Sequence, residues 1–144
     1  MLVSQILKSK ADEHVMTVQP HMTVGEAAAI LSEKRIGTLI VSRDGTTADG
    51  ILSERDIVRE VGKRGGVCLL DMVSTLMTRD PVTCSRNDTA DGVLQTMTDG
   101  RFRHLPVVEN GVMVGLISIG DVVKARLSEL SMEKSALEGM IMGN

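Results

Sequence analysis

An internal duplication constrains this 144-residue chain more than any other feature of its sequence. Residues 66 positions apart match in type, as in the pairs Thr23 with Thr89 and Leu39 with Leu105. Further along the chain the separation becomes 65, so one residue has been gained or lost in a loop, where such changes are tolerated. A duplication of this kind predicts two copies of one structural unit.

Each repeat predicts the element order β-α-β-β-α over roughly 50 residues. A threonine is placed to cap the first helix, and a short continuous apolar run is typical of a strand buried on both faces. The turn pairs Asp44-Gly45 and Asn110-Gly111 indicate hairpins. In the first repeat we predict strand Val15–Val18, helix Val24–Lys34, strand Thr38–Val41, a strand ending near Leu52 and a helix from Glu54. The counterparts are Val82–Cys84, Ala90–Asp99, Leu105–Val108, a strand ending near Ile117 and a helix from Ile119.

One such unit buries too little apolar surface to be stable alone. We therefore predict a mixed α/β (α+β) fold in which two units, residues 12–65 and 74–128, pack as a pseudo-two-fold pair with a cleft between their sheets. Leu70–Thr78 is interpreted as the linker. Residues 1–11 are predicted to form an N-terminal helix and residues 129–144 a C-terminal helical extension. Within the stretch Val122–Met142, Leu127, Leu130, Leu137 and Met140 recur at helical spacing, so we expect this stretch to cover a core or a partner chain.

Composition excludes several classes of protein. The net charge is −3 and there is no basic stripe, which argues against a nucleic-acid surface. No apolar run approaches the roughly 18–20 residues of a membrane helix, so we expect a cytoplasmic protein that binds no membrane. Cys68 and Cys84 form no CxxC and are expected to be reduced. His14 and His21 lack metal-ligand spacing, so no metal site is predicted.

A seven-residue pattern occurs once in each repeat, as Gly50–Asp56 and as Gly115–Asp121, where a strand gives way to a helix. The helix N-terminus suits a phosphate, and the carboxylate of Asp56 or Asp121 can accept hydrogen bonds from ribose hydroxyls. Ser-x-x-Asp before a helix also resembles a capping box, and the two interpretations are compatible.

A basic cluster, Arg101, Arg103 and His104, leads into the strand at Leu105, and Pro106 follows. Basic side chains at a strand entrance can neutralise a phosphate, and Leu105 with Pro106 can border an apolar slot for a base. The alternative is a solvated basic turn. The equivalent stretch of the first repeat, residues 34–41, is less basic and has no histidine or proline.

The repeated Gly-x-x-Ser-x-x-Asp, the run His104–Val108 and the stretch Leu76–Thr83 together resemble CBS domains, which are named after cystathionine beta-synthase. The resemblance covers about residues 12–128, and a tandem pair of this kind is called a Bateman module. It implies an adenosine-containing ligand: AMP, ADP, ATP, S-adenosylmethionine or NAD(H).

The resemblance also implies roles for particular residues. The two aspartates, Asp56 and Asp121, would hold the ribose, and Ser53 and Ser118 would contact phosphate or ribose. The adenine would be framed by Thr17, Val18, Gly37 and Thr38 in the first repeat and by Thr83, Cys84, His104 and Pro106 in the second. The phosphates would be reached by Arg103, with Arg101 and His104, and by Arg55 from one side only. We expect unequal sites, with the one around Asp121 better formed.

By the same resemblance we expect a non-catalytic sensor of cellular energy or redox state that forms a homodimer, a four-CBS disc, and acts in trans on an unknown effector protein. The sequence shows no Walker-type loop, HExxH or paired catalytic carboxylates, so it is not expected to be an enzyme. Two alternatives stay open: a structural dimerisation module without ligand, and a nucleotide hydrolase.

Overall fold

The computed structural model describes residues 1–10 and 15–141. The boundary predicted at residues 11 and 12 and the position of His14 lie outside the described residues. The helices of the described chain are α1 (Val3–Ser9), α2 (Val24–Lys34), α3 (Glu54–Arg64), α4 (Val73–Leu76), α5 (Ala90–Gly100) and α6 (Ile119–Ile141). The strands are β1 (Thr17–Val18), β2 (Thr38–Val41), β3 (Gly50–Ser53), β4 (Thr78–Arg79), β5 (His104–Glu109) and β6 (Val112–Ser118).

The mixed α/β class is confirmed, as are the two main helices of each repeat and the strands β2, β3, β5 and β6. The strand predicted at Val15–Val18 is shortened to Thr17–Val18. The first helix of each repeat begins at a threonine whose side chain accepts a backbone hydrogen bond, Thr23 from Glu26 at 3.1 Å and Thr89 from Gly92 at 3.0 Å. Each of these helices also ends at an arginine in the left-handed conformation, Arg35 or Arg101, 66 positions apart. The duplication therefore extends to the way both helices begin and end.

The strands form two sheets. In the four-stranded sheet the order is β1-β2-β3-β4, with β1 parallel to β2 and the other neighbours antiparallel, while β5 and β6 form a two-stranded sheet. The strand predicted at Val82–Cys84 is reduced to a single parallel bridge between Cys84 and Val107. Pro106 explains the loss, because its counterpart Ile40 donates its N–H to Met16 and proline has no N–H to donate.

The chain divides into two compact units. The first-repeat unit contains the described residues within His14–Val82 and Glu109–Val114. The second-repeat unit contains those within Met1–Glu13, Thr83–Val108 and Gly115–Asn144. Helix α1 thus belongs with the second repeat, where the Val3 N–H donates to Asp88 O at 2.9 Å. Helix α4 belongs with the first, where the Val73 N–H donates to Met22 O at 2.7 Å.

The stretch interpreted as a linker, Leu70–Thr78, is therefore structured, with α4 and the start of β4 inside it. A single helical turn is too short to show periodicity, which is why the sequence did not predict it. The C-terminal stretch is also different from the prediction of a separate added helix. It continues without a break from the second helix of the second repeat as α6.

Each unit has an aliphatic core. Among the described residues, the first-repeat unit buries Val24, Ala27, Leu39 and Leu52, and the second-repeat unit buries Met97, Leu105, Val107 and Ile117. No described helix is both long enough and apolar enough to cross a membrane.

Candidate functional site

The predicted Ser-x-x-Asp motif of the first repeat forms the junction between β3 and α3. The Ser53 backbone N–H donates to Asp56 Oδ2 at 2.9 Å, and the Asp56 N–H donates to Ser53 Oγ at 3.2 Å. These reciprocal bonds are a capping box, as the sequence suggested. They also fix the orientation of a carboxylate at a helix N-terminus. The remaining oxygen, Asp56 Oδ1, lies 3.6 Å from the exposed guanidinium of Arg59.

The second repeat builds the same junction between β6 and α6. The Ser118 N–H donates to Asp121 Oδ2 at 2.9 Å, and the Asp121 N–H donates to Ser118 Oγ at 3.1 Å. One contact has no equivalent in the first repeat among the residues that the structure describes: Lys10 Nζ lies 3.0 Å from Asp121 Oδ2 and donates to Leu116 O at 2.8 Å. No local pattern pointed to Lys10, because more than 100 positions separate it from both partners.

Local electrostatics distinguish the groups around Asp121. Burial raises the pKa of the Asp121 carboxyl, but the hydrogen bonds from Ser118 and Lys10 lower it more, so the pKa lies below its ordinary value. Burial lowers the pKa of His104, assisted by the positive charges of Lys10 and Arg103 and opposed by Asp121. The imidazole is therefore neutral near pH 7 and adds a polar group rather than a charge beside Asp121.

The strand entrance is tied to the helix N-terminus in both repeats. The first N–H of α3, on Glu54, donates to Gly37 O at 2.8 Å, and the first N–H of α6, on Ile119, donates to Arg103 O at 2.8 Å. The backbone at Gly37 and Arg103 therefore lies directly beside the Ser-x-x-Asp motif. The sequence predicted both parts but not this bond between them.

In each repeat, the predicted extended segment lies beside the strand that follows the strand entrance. Thr17 and Val18 pair with β2, the strand that begins at the buried Thr38. In the second repeat the Cys84 N–H donates to Pro106 O at 3.0 Å, and the Val108 N–H donates to Cys84 O at 2.8 Å. Burial, and secondarily Asp88, raises the pKa of the Cys84 thiol to about 12, so this cysteine is a protonated packing residue.

The predicted phosphate-binding arginines are exposed: Arg55 in the first turn of α3, Arg101 at the end of α5 and Arg103 before β5. Thr83 is exposed as well, whereas Pro106 is buried. Every predicted site residue thus belongs to one of two groups. Thr17, Val18, Gly37, Thr38, Ser53, Arg55 and Asp56 lie in the first-repeat unit, and Thr83, Cys84, Arg101, Arg103, His104, Pro106, Ser118 and Asp121 lie in the second-repeat unit.

Metal chemistry finds no support in the described part of the chain. Residues 1–10 and 15–141 contain no group of three or more His, Cys, Asp or Glu side chains that could hold a metal ion. The two groups described above offer hydroxyl, carboxylate, backbone and guanidinium groups. Groups of these kinds can make hydrogen bonds to a ribose and a phosphate.

Comparison with known proteins agrees with this geometry. The family model described as "CBS domain" matches residues 3–63 and 73–128, and the chain therefore belongs to the CBS domain family. A CBS-domain protein of Agrobacterium tumefaciens has a crystal structure that is 44% identical in sequence. It superposes with a TM-score of 0.83, over 88% of this chain and 99% of that one. The fold is thus that of a CBS domain pair.

Curated relatives differ in length. A mitochondrial CBS domain-containing protein of Arabidopsis thaliana, CBSX3, is 32% identical over 98% of this chain and 72% of its own length. A longer Arabidopsis relative, CBSCBSPB2, is 33% identical, and the match covers 95% of this chain but 24% of the relative.

The CBS domain protein PAE2072 of Pyrobaculum aerophilum was crystallised with AMP. It is 28% identical with a TM-score of 0.78, over 92% of this chain and 99% of that one.

Proposed function

We propose that this protein is a non-catalytic regulatory module that binds an adenosine-containing ligand, AMP or a related nucleotide. The observation that carries the proposal is the duplicated Ser-x-x-Asp junction, which presents a fixed carboxylate at a helix N-terminus in each unit. The AMP complex of the Pyrobaculum relative supports the ligand class.

The two groups of residues would contact the ribose, the phosphates and the adenine in the same way. The carboxylate of Asp56 or Asp121 accepts hydrogen bonds from the ribose diol, as acidic residues do in dinucleotide-binding folds. The hydroxyl of Ser53 or Ser118 contacts ribose or phosphate. Backbone groups beside the strand entrance border the adenine, and exposed arginines reach the phosphates.

The regulatory part of the proposal concerns a partner protein. Ligand binding shifts the populations of two conformations only by its difference in affinity for them, and an effector protein would read that shift in trans. We propose a cytoplasmic homodimer that brings four CBS repeats together, without a role for nucleic acid or a membrane. Sensing of cellular energy or redox state then depends on which ligand, AMP, ADP, ATP, NAD(H) or S-adenosylmethionine, binds most tightly.

Isothermal titration calorimetry of nucleotide-stripped protein tests the proposal with those five ligands. Asp56→Ala and Asp121→Ala should each remove binding at one unit, since each deletes a ribose acceptor. Asp91→Ala is the matched control, because Asp91 is a carboxylate in the first turn of α5 outside either motif.

Three results would contradict the proposal. Absence of heat and of a thermal shift with every ligand would favour a structural dimerisation module. Binding that survives in the Asp56→Ala, Asp121→Ala double variant would place the ligand elsewhere. Release of inorganic phosphate from ATP by the purified protein, lost in the double variant, would favour a nucleotide hydrolase.

A further inference from the structure

A lysine from the segment after α1 contacts the carboxylate that the proposed function assigns to ribose. Lys10 Nζ lies 3.0 Å from Asp121 Oδ2 and donates to Leu116 O at 2.8 Å. Both side chains are largely shielded, with 27% of Lys10 and 22% of Asp121 exposed to solvent. A shielded pair of this kind is stronger than a solvated surface pair, because less water screens it.

Among the described residues, no lysine takes the corresponding place at the carboxylate of the first repeat. Leu116 corresponds to Ile51 by the 65-residue separation, and Ile51 is paired with Thr78 of β4, whose side chain carries no charge. The cation that contacts Asp56 in this part of the chain is Arg59, which is 3.6 Å away on the same helix and 64% exposed. The two sites therefore differ in the charge that faces the ribose acceptor.

The Asp121 carboxylate has limited room for further donors. Its Oδ2 atom already accepts the Ser118 N–H at 2.9 Å and contacts the Lys10 ammonium. A ribose diol that uses both carboxylate oxygens must therefore compete with Lys10. The lysine stem has four flexible carbons, so the ammonium can leave the carboxylate while the backbone stays in place.

We propose that Lys10 determines which adenosine ligands the Asp121 site accepts, by exchanging the carboxylate for a ligand phosphate. In a nucleotide, the ribose takes the carboxylate and the phosphate takes the ammonium, so both charges keep a partner. An uncharged nucleoside displaces Lys10 without offering a replacement, and a shielded ammonium without a counter-charge is unfavourable. The inference rests on the proposed function and deepens it, because it makes the second-repeat site selective for phosphorylated ligands.

The test compares the binding of AMP and adenosine by calorimetry in the Asp56→Ala protein, where the measured heat comes from the Asp121 site alone. In Lys10→Met, adenosine should bind more tightly because its competitor is gone, and AMP should lose its phosphate partner. The ratio of AMP affinity to adenosine affinity should therefore fall about tenfold, which corresponds to about 1.4 kcal/mol. Lys10→Arg should keep most of the wild-type ratio, since it retains the cation.

Lys8→Met is the matched control, because it removes the same charge from an exposed position of α1. It should leave the ratio unchanged. An unchanged ratio in Lys10→Met, or an equal fall in Lys8→Met, would overturn the role of Lys10 while leaving the proposed function in place. If neither AMP nor adenosine binds to the wild type or to the Asp56→Ala protein, this inference fails, and the proposed function fails with it only when ADP, ATP, NAD(H) and S-adenosylmethionine also give no heat. Thermal unfolding of each variant confirms that it is folded.

Discussion

His104 is a residue whose charge depends on its surroundings in the folded chain. Its ring is half-buried at the start of β5, close to the charges of Lys10, Arg103 and Asp121, and burial is the main reason that its pKa lies below the ordinary value. In the unfolded chain the same imidazole titrates near pH 6.5. As the pH falls through that value the unfolded state binds the proton first, so the stability that the neutral ring contributes is lost on acidification.

We therefore expect the free energy of unfolding of the wild type to fall between about pH 7 and about pH 5, and His104→Gln to show a smaller fall. Urea denaturation at a series of pH values measures both slopes. His21→Gln is the control, because it removes one histidine at an exposed position. Equal slopes for His104→Gln and the wild type would contradict the prediction.

The N-termini of four helices allow the capping role of a hydroxyl group to be distinguished from a role in ligand binding. Thr23 and Thr89 cap α2 and α5, outside the proposed site, whereas Ser53 and Ser118 lie in the Ser-x-x-Asp motifs. Each hydroxyl accepts a backbone N–H, so its removal costs about 1 kcal/mol of stability in every case.

We expect Thr23→Ala and Ser53→Ala to lose similar stability in urea denaturation, and Ser53→Ala alone to weaken ligand binding at the first-repeat site. Thr89→Ala and Ser118→Ala form the same pair for the second-repeat unit. If the threonine variants weaken binding as much as the serine variants, the serines act as caps and not as ligand groups.

The distal part of α6 carries an apolar stripe. Val123, Leu127, Leu130, Leu137 and Ile141 recur with alternating spacings of three and four residues, interrupted at Lys134, and each is between 42% and 83% exposed. Such spacing is typical of helices that pair along a seam. A second copy of the chain carries the same stripe, which is why we attribute this face to the proposed homodimer.

Light scattering after size-exclusion chromatography tests this attribution. The wild type should have the mass of a dimer, and Leu130→Glu combined with Leu137→Glu should shift it toward the monomer, because a charge in an apolar seam loses its hydration without a partner. Ser128→Glu adds a charge on the same helix at an exposed position and should remain dimeric. A monomeric wild type, or a double variant that stays dimeric, would contradict the attribution.

In each of the two units, part of the core comes from a segment that precedes the other repeat in the chain. Helix α1 buries Val3 and Ile6 in the second-repeat unit, while α4 buries Val73 in the first-repeat unit. Removal of residues 1–10 should therefore destabilise a part of the chain that is more than 70 residues away in sequence. Loss of two buried aliphatic side chains alone costs several kcal/mol.

Hydrogen exchange measures where that stability is lost. Without residues 1–10, amides of α5, β5 and the buried part of α6 should lose protection more than those of α2 and β2. Removal of residues 134–141, whose apolar side chains are exposed in the single chain, is the control and should leave the protection of α2, β2, α5 and β5 unchanged. Greater loss in α2 and β2 would contradict the assignment of α1 to the second-repeat unit.

The repeated architecture and the two Ser-x-x-Asp junctions could be predicted from the sequence. Those signals are local: a capping hydroxyl, an apolar run or a turn pair acts on residues within a few positions. The end of helix α2 at Lys34 and the range of strand β2 could be predicted for this reason. The roles of the individual site residues remain predictions, which the ligand titrations test.

Contacts between residues that are distant in sequence could be seen only in the folded structure. It places α1 with the second repeat and α4 with the first, brings Lys10 to Asp121 and ties Arg103 to the first turn of α6. These contacts join residues that are distant in sequence, and they depend on packing and on partners for buried polar groups rather than on periodicity. The shortened strand at Cys84 depends both on a local sequence feature and on tertiary pairing. Pro106 was visible in the sequence, but its missing N–H mattered only once pairing placed it beside Cys84.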